Sequence, residues 1–383
     1  MTMKAQIPTS RSRIRVALVV PHIFMSDGIR ENVIFSPGEL AISLCSKLPE
    51  FGVDVTLFCP GKVEAVKKNI VADMTLFEKE LSGRGYGYLE LLKKHPLVFI
   101  SLARQVQAEV ISKAYEMANR GMFDVVHVYT NEEDIALQFA SLCTKPVVFT
   151  HHDPFNFLIR YKSVFPKYRH LNYISMSMAQ RKTMPEDTNW VANIGHGLDP
   201  DEYEPNYEVG EYLAYLGRII EPKGVHLAVT AVKEYNESHT EKLKLKIAGR
   251  YYGEGEESYY RKRIEPFLDE NIEYIGFLKG REKIEFLRGA RALIVPSVFE
   301  EPFGMVTIEA LACGTPVIGF KNGATVEIIE NGLNGLIVEP DGLKSCFEKI
   351  KLIDRKKCRK SFENGFTLAK MAESHTRVYR NMC

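Results

Sequence analysis

The sequence has no CxxC pair, no GxGxxG after its first apolar run, no long apolar stretch and almost no excess of either charge. Its seven cysteines, Cys45, Cys59, Cys143, Cys313, Cys346, Cys358 and Cys383, are scattered and odd in number. That pattern argues against a disulfide framework and against a zinc site, and suits a reducing cytosol. A net charge of +1 offers no electrostatic attraction for nucleic acid. No apolar run reaches the roughly 18 residues of a spanning helix, and the opening "MTMKAQIPTSRSRIR" lacks the apolar core of a signal peptide. The expectation is a cytoplasmic protein. Where a nicotinamide dehydrogenase would carry GxGxxG, "VPHIFMSDG" stands instead, which counts against that class. The apolar positions of "YLELLKKHPLVFISLARQVQAEVISKAY" read as an amphipathic helix packed on its own domain, with peripheral membrane contact as the alternative use.

What is present fits two lobes. A chain of 383 residues exceeds one ordinary core, and 45% hydrophobic with 26% charged residues is a soluble globular composition. "IRVALVV" is a β-branched run of the kind buried in a parallel sheet, and a helical pattern follows from Glu39 to Leu48. The alternation continues through "VDVTLFCP", a long helical stretch around 86–120, "FDVVHVY", a helix near 132–143, "PVVFTHHD" and "NYISMS". It restarts with "YLAYLGRI" and runs through "LKLKIAG", "IEYIGFL", "ALIVPS", "PVIGF" and "GLIVE", with helices between. Repeated βα units predict two doubly wound parallel sheets, an α/β fold of two Rossmann-like domains facing a cleft. The Pro-, Gly- and acid-rich segment 195–210 is the expected linker and hinge. The expected division is 1–196, 197–365 and a closing helix 366–383 that crosses back.

In "VPSVFEEPFGMVTIEALACGTPVIGF" a strand is expected to end at Ser297, Pro302 to sit in a first helical turn and Gly314 to stop the helix. Glu301 then lies at the carboxyl edge of the sheet, where open α/β folds bind ligands, and Gly304 lets an anion approach the free amides of a helix start. Eight residues at helical rise separate Glu301 from Glu309 by about 12 Å, the length of a sugar nucleotide laid from hexose to ribose. Alone, such a pair is also what an ordinary acidic first turn and a solvated face supply. "YLGRIIEPKG" sets Arg218 and Lys223 after another strand, cations suited to a diphosphate or merely to an exposed loop. His151 and His152 close "PVVFTHH"; a metal half-site or a polar strand end is the other reading.

Together, "GRIIEPKG", "LKIAG", "IEYIGFL", "ALIVPSVFEEPFGMVTIEALACGTPVI" and "ATVEIIENGLNGLIV" resemble the carboxyl-terminal half of family 4 retaining glycosyltransferases of GT-B fold, with their E-x7-E motif. "SPGELAISLCSKLPEFGVDVTLF" and "PVVFTHHD" resemble the amino-terminal half more loosely, with a single glycine, Gly38, where paired glycines are usual. The resemblance implies a nucleotide-sugar donor bound mainly by the second domain and an acceptor mainly by the first. It places Arg218 and Lys223, with Gly217, on the diphosphate, Glu301 on the hexose and Glu309 on the ribose. The amides of Phe303, Gly304, Met305 and Val306 would cover sugar and phosphate. Gly249, Arg250 and Phe277 would hold the base, Gly38 would lie beside the phosphates or acceptor, and His152 would face the reacting sugar.

The implied reaction moves a hexose, UDP-sugar favoured, to a hydroxyl of a saccharide, a lipid-linked or a small-molecule acceptor, with no metal or other cofactor. The alternatives are a nucleotide-sugar epimerase on the same fold and an inactive relative that only binds the donor.

Overall fold

The computed structural model describes residues 13–383. Residues 1–12, which hold most of the opening stretch read for a leader and the start of the expected first domain, lie outside them. Strands Ile14–Val19 (β1), Val53–Cys59 (β2), Asn69–Val71 (β3), Val125–Thr130 (β4), Val147–His151 (β5), Asn172–Ser175 (β6) and Trp190–Asn193 (β7) form one sheet in the order β3-β2-β1-β4-β5-β6-β7. All its pairings are parallel. A second parallel sheet, ordered β10-β9-β8-β11-β12-β13, comprises Tyr212–Leu216 (β8), Leu245–Ala248 (β9), Ile272–Gly276 (β10), Ala290–Val295 (β11), Val317–Phe320 (β12) and Gly335–Val338 (β13). This is the doubly wound α/β architecture that the alternating apolar runs predict. Val16 to Val19 are fully buried because helices cover both faces of a parallel sheet, so β-branched side chains are favoured on both.

In each sheet the chain leaves the middle in opposite directions, between β1 and β4 and again between β8 and β11. The loops that follow these four strands therefore diverge and leave a crevice at the carboxyl edge. Six of the helices bear on these crevices or on the join between the lobes: Ser36–Lys47 (α1), Pro96–Asn119 (α2), Val225–Ser238 (α3), Gly280–Gly289 (α4), Met305–Ala312 (α5) and Leu368–Met382 (α6).

The structure departs from the sequence pattern at punctuation points. The helical stretch around 86–120 is two helices, Tyr88–Lys94 and α2, broken at His95 (φ −138°, ψ 60°) because the proline ring of Pro96 excludes helical geometry from the residue before it. Two helices close the chain, Arg355–Gly365 and α6, with Thr367 capping the second through its hydroxyl. Trp190–Asn193, just before the expected linker, is the edge strand β7.

The last helix, α6, packs on the first sheet, where Met371, Ala372, Val378 and Tyr379 join Val16, Leu18, Leu44 and Val125 in one cluster. The Tyr379 hydroxyl lies 2.7 Å from Nδ1 of the buried His127, and Arg380 donates to the Phe51 carbonyl at 3.0 Å. Two chain crossings join the lobes side by side: the amide of Leu198 donates to Phe366 O at 2.9 Å and that of Leu368 to Leu198 O at 2.8 Å. The expected linker narrows accordingly, since Tyr203 is buried in the second lobe's core and the amide of Asn206 donates to Cys313 O at 3.0 Å. Across the lobes, Glu327 accepts from the amides of Met178 (2.8 Å) and Ala179 (2.7 Å). No helix among the described residues is long and apolar enough to cross a membrane.

Candidate active site

The second sheet's switch point brings the loops after β8 and β11 together: the amide of Val298 donates to Pro222 O at 2.9 Å. Across this joint Lys223 Nζ pairs with Glu301 Oε1 at 2.8 Å, and the Ser297 hydroxyl donates to the same oxygen. Glu301 is 6% exposed. Its backbone is fixed from the other side, where the amide of Ala324 donates to Glu301 O at 3.0 Å. Gly323, at φ +52°, lies so close that a Cβ there would stand 2.5 Å from Glu301 N.

Pro302 is not helical; α5 begins only at Met305, with Gly304 as a left-handed cap (φ 96°, ψ 67°). The 12 Å estimate assumed helix throughout, whereas its first half is loop, because Gly304 turns the chain sharply before the first helical residue. The turn has a chemical consequence. Among the described residues, none of the amides of Phe303, Gly304, Met305 and Val306 has a protein acceptor. Unsatisfied amides at a helix start, with the helix dipole behind them, form an anion site.

Glu309, also 6% exposed, repeats the arrangement of Glu301. Lys283 of α4 places Nζ 2.5 Å from Glu309 Oε1, and the Tyr203 hydroxyl donates to that oxygen at 3.3 Å. Each acid of the pair is thus held at Oε1 by one ammonium and one hydroxyl. No donor among the described residues faces either Oε2. A half-occupied carboxylate that is already charge-paired can accept a ligand hydroxyl without carrying an isolated buried charge.

Arg218 stands half-exposed at the end of β8, its guanidinium paired with Glu256, and accepts the Tyr215 hydroxyl at its carbonyl (2.8 Å). The neighbouring strand ends are closely joined: Gly217 N donates to Ala248 O at 3.1 Å and Gly249 N to Gly276 O at 2.8 Å. The Arg250 guanidinium lies 4.2 Å from the Phe277 ring centroid, and the Tyr252 ring is within 6.0 Å of the guanidinium carbons of both Arg218 and Arg250. Gly217, Arg218, Gly249, Arg250 and Phe277 therefore share one rim, joined by Tyr252.

Strand alternation separates the two histidines. His151 is fully buried, with Nδ1 2.9 Å from a Glu133 oxygen. Burial lowers the His151 pKa to about 4 and raises that of Glu133 well above the carboxylate range, so the two form a neutral hydrogen-bonded pair. The His152 residue is partly exposed, whereas its Nε2 is itself buried and has no partner. Its ring stacks on His196 (5.1 Å, 8° between planes) and meets Tyr129 edge-on at 4.3 Å; His196 in turn meets Phe303 at 4.8 Å. Desolvation, then the neighbouring imidazoles, hold the His152 pKa well below its ordinary value, so the ring is neutral at physiological pH.

His196 therefore ties the carboxyl end of β5 to the loop of Glu301. Met305 spans the lobes as well, packing on the cluster that contains Met25 and Phe35. Gly38, in the first turn of α1, sits beneath those two side chains, inside its own lobe and without contact with the Arg218–Lys223–Glu301 group.

Sequence reasoning missed Ser297, Lys283, Tyr203, His196 and Tyr252. Ser297 and Tyr252 lay in loops already singled out. Lys283 and Tyr203 come from a helix and a connector whose approach to Glu309 only the fold reveals.

The two-sheet architecture is that of GT-B glycosyltransferase structures. Sucrose-phosphate synthase from Thermosynechococcus elongatus superimposes with a TM-score of 0.72 over 96% of this chain and 99% of that one, at 17% identity. Anabaena HepE, solved in complex with UDP-glucose, superimposes with a TM-score of 0.69 over 97% and 100%, at 14% identity. Residues 202–365 match the family described as glycosyl transferases group 1. An uncharacterized glycosyltransferase of Methanocaldococcus jannaschii is 34% identical over 172 residues, 43% of this chain. The match spans under half of that relative, 45% of its length.

Proposed function

We propose that this chain is a metal-independent, retaining family 4 hexosyltransferase that moves a hexose from a UDP-sugar to an acceptor hydroxyl. The observation that carries the reading is the pair of equally clamped carboxylates, Glu301 and Glu309, on either side of four unpaired amides. Glu301 Oε2 would accept from hexose hydroxyls and Glu309 Oε2 from the ribose, completing an E-x7-E motif, with the diphosphate between them on the amides of Phe303 to Val306. Arg218 and Lys223 retain donors for phosphate oxygens beyond those committed to Glu256 and Glu301. Gly217, Gly249, Arg250 and Phe277 would line the base end, and Gly38 would face the acceptor side. The UDP-glucose held by HepE supports UDP as the nucleotide.

In the proposed step the bond from C1 to the diphosphate oxygen breaks, the acceptor oxygen bonds to C1 on the same face, and the acceptor proton passes to the leaving phosphate. Lys223, Arg218 and the α5 amides stabilise the charge that gathers on the diphosphate. Neutral His152 would hydrogen-bond the reacting sugar from the other lobe. The protein would act in the cytoplasm as domains 1–196 and 197–365, with 366–383 bracing the first.

The test is release of UDP from a panel of UDP-sugars in the presence of chelator. Turnover that survives chelation and collapses in folded Lys223→Ala and Glu301→Ala supports the roles. Wild-type rates in both variants remove them, and conversion of a donor without any acceptor points to an epimerase.

A further inference from the structure

His151 and His152 are neighbours in sequence, yet different forces orient them. His151 is pinned through Nδ1 by Glu133, whereas the Nε2 of His152 is buried without a partner. The Tyr129 hydroxyl is buried and unpartnered as well, so Tyr129 and His152, 4.3 Å apart at 69°, meet ring against ring. The second ring on His152 is His196, parallel to within 8° at 5.1 Å. A side chain pinned by a hydrogen bond keeps its own direction, but one held by packing takes its direction from the rings around it. Tyr129 is fixed within β4. His196 belongs to neither sheet and lies on the chain crossing between the lobes.

That crossing has little room to move on its own. A Cβ on Gly195 would stand 2.8 Å from the Phe303 ring, and one on Gly197 would stand 2.4 Å from Thr367 O. The amide of Gly197 donates to Met371 Sδ at 3.1 Å, which fastens the crossing to α6. His196, 5% exposed, is thereby held with His152 on its face and the Phe303 ring 4.8 Å away, edge-on. Phe303 carries the first of the four unpaired amides, so one column of three rings runs from the anion site to His152. Burial keeps both imidazoles neutral, His196 at about 3, and the stack carries no charge repulsion at neutral pH.

We propose that His196 is a positioning residue for the transfer step: it sets the orientation of His152 toward the reacting sugar and ties that orientation to the donor loop through Phe303. The proposal rests on the glycosyltransferase reading and on the place of His152 within it, and adds a residue that acts through another.

The experiment follows the His152 imidazole by NMR in histidine-labelled full-length protein titrated with UDP, its signal assigned from His152→Ala. Saturating UDP shifts that signal in the wild type. In His196→Ala, UDP keeps its dissociation constant within about twofold while the shift falls about fivefold or more, and His196→Phe, which keeps a ring in the column, restores most of it. Phe303→Leu cuts the other end of the column and loses the same shift, independently of any folding defect in His196→Ala. With the UDP-sugar from which the wild type releases UDP fastest, His196→Ala lowers kcat about tenfold with KM little changed, and adds nothing on the His152→Ala background. A full shift in His196→Ala, an unresponsive His152 in UDP-saturated wild type, or losses that simply add in the double variant overturns the proposal. A wild type that binds no UDP removes the glycosyltransferase reading instead, so the two failures are distinguishable.

Discussion

Glu301 depends on the backbone around it as much as on its own partners. Gly323 and Gly304 flank it, both at positive φ, but they differ in surroundings. A Cβ on Gly323 meets Glu301 N at 2.5 Å and O at 2.6 Å, whereas one on Gly304 meets nothing nearer than Thr307 Oγ1 at 3.5 Å. Gly304→Ala should cost only the left-handed strain, about 1–2 kcal/mol, with weaker UDP binding from the crowded amides. Gly323→Ala adds displacement of the Glu301 backbone and should lose more stability and most turnover. Chemical denaturation and initial rates separate the two; equal losses would mean that the close contact at Gly323 does not hold Glu301 in place. The acids and cations of the site were legible because strand-end position and residue type coincide at Arg218, Lys223 and Glu301. Lys283 was not, because on α4 it reads as one more solvated lysine until the fold lays it against Glu309.

At the scale of elements, α6 is part of the first lobe's core although it follows the second lobe in sequence. Tyr379 is fully buried, and its hydroxyl is the partner of His127 Nδ1, whose Nε2 faces Thr150 at 2.8 Å. Tyr379→Phe leaves that imidazole nitrogen unpaired and should cost about 1–3 kcal/mol. Tyr379→Ala, which adds a large cavity, should cost about 3–5 kcal/mol. Equilibrium unfolding of both variants measures the difference, and near-equal values would mean that α6 packs loosely. The amphipathic pattern of "LAKMAESHTRVYR" made a helix legible, but its partner was not, because the residues that it meets lie 252 (His127) and 329 (Phe51) positions earlier. The breaks at Pro96 and Thr367 show the same division: periodicity predicts the helices and local backbone chemistry decides where they stop.

For the whole molecule, the imidazoles at the centre govern acid behaviour. Burial lowers His151 and His375 to about 4 and His196 to about 3, and holds His127 and His152 well below the ordinary value. In the unfolded chain these groups protonate near pH 6.5. Below that pH the unfolded state therefore binds protons that the fold refuses. Stability is full above about pH 6.5 and falls as pH drops toward 4, on the order of 1.4 kcal/mol per pH unit for each net proton. Glu133 opposes this by one proton, since it stays protonated in the fold while ionised in the unfolded chain. Thermal unfolding should show a steep loss of Tm from pH 7 to 5, and a flat profile would mean that the imidazoles already carry charge in the native state. The two-lobed architecture was legible from the repeated βα alternation. The histidine junction was not, because His127, His152, His196 and His375 come from four separate stretches of the chain.

The proposed donor site, two carboxylates of the second lobe clamped in the same way, must lose affinity for a sugar nucleotide when either clamp is cut. Calorimetric titration of UDP in chelator, into the wild type, Lys223→Met and Lys283→Met, tests this most directly. UDP should bind the wild type without metal and about tenfold or more weakly in each variant, because each substitution removes one clamp and, at Lys223, a phosphate contact as well. Equal affinity in all three proteins, or no binding to the wild type, would contradict it.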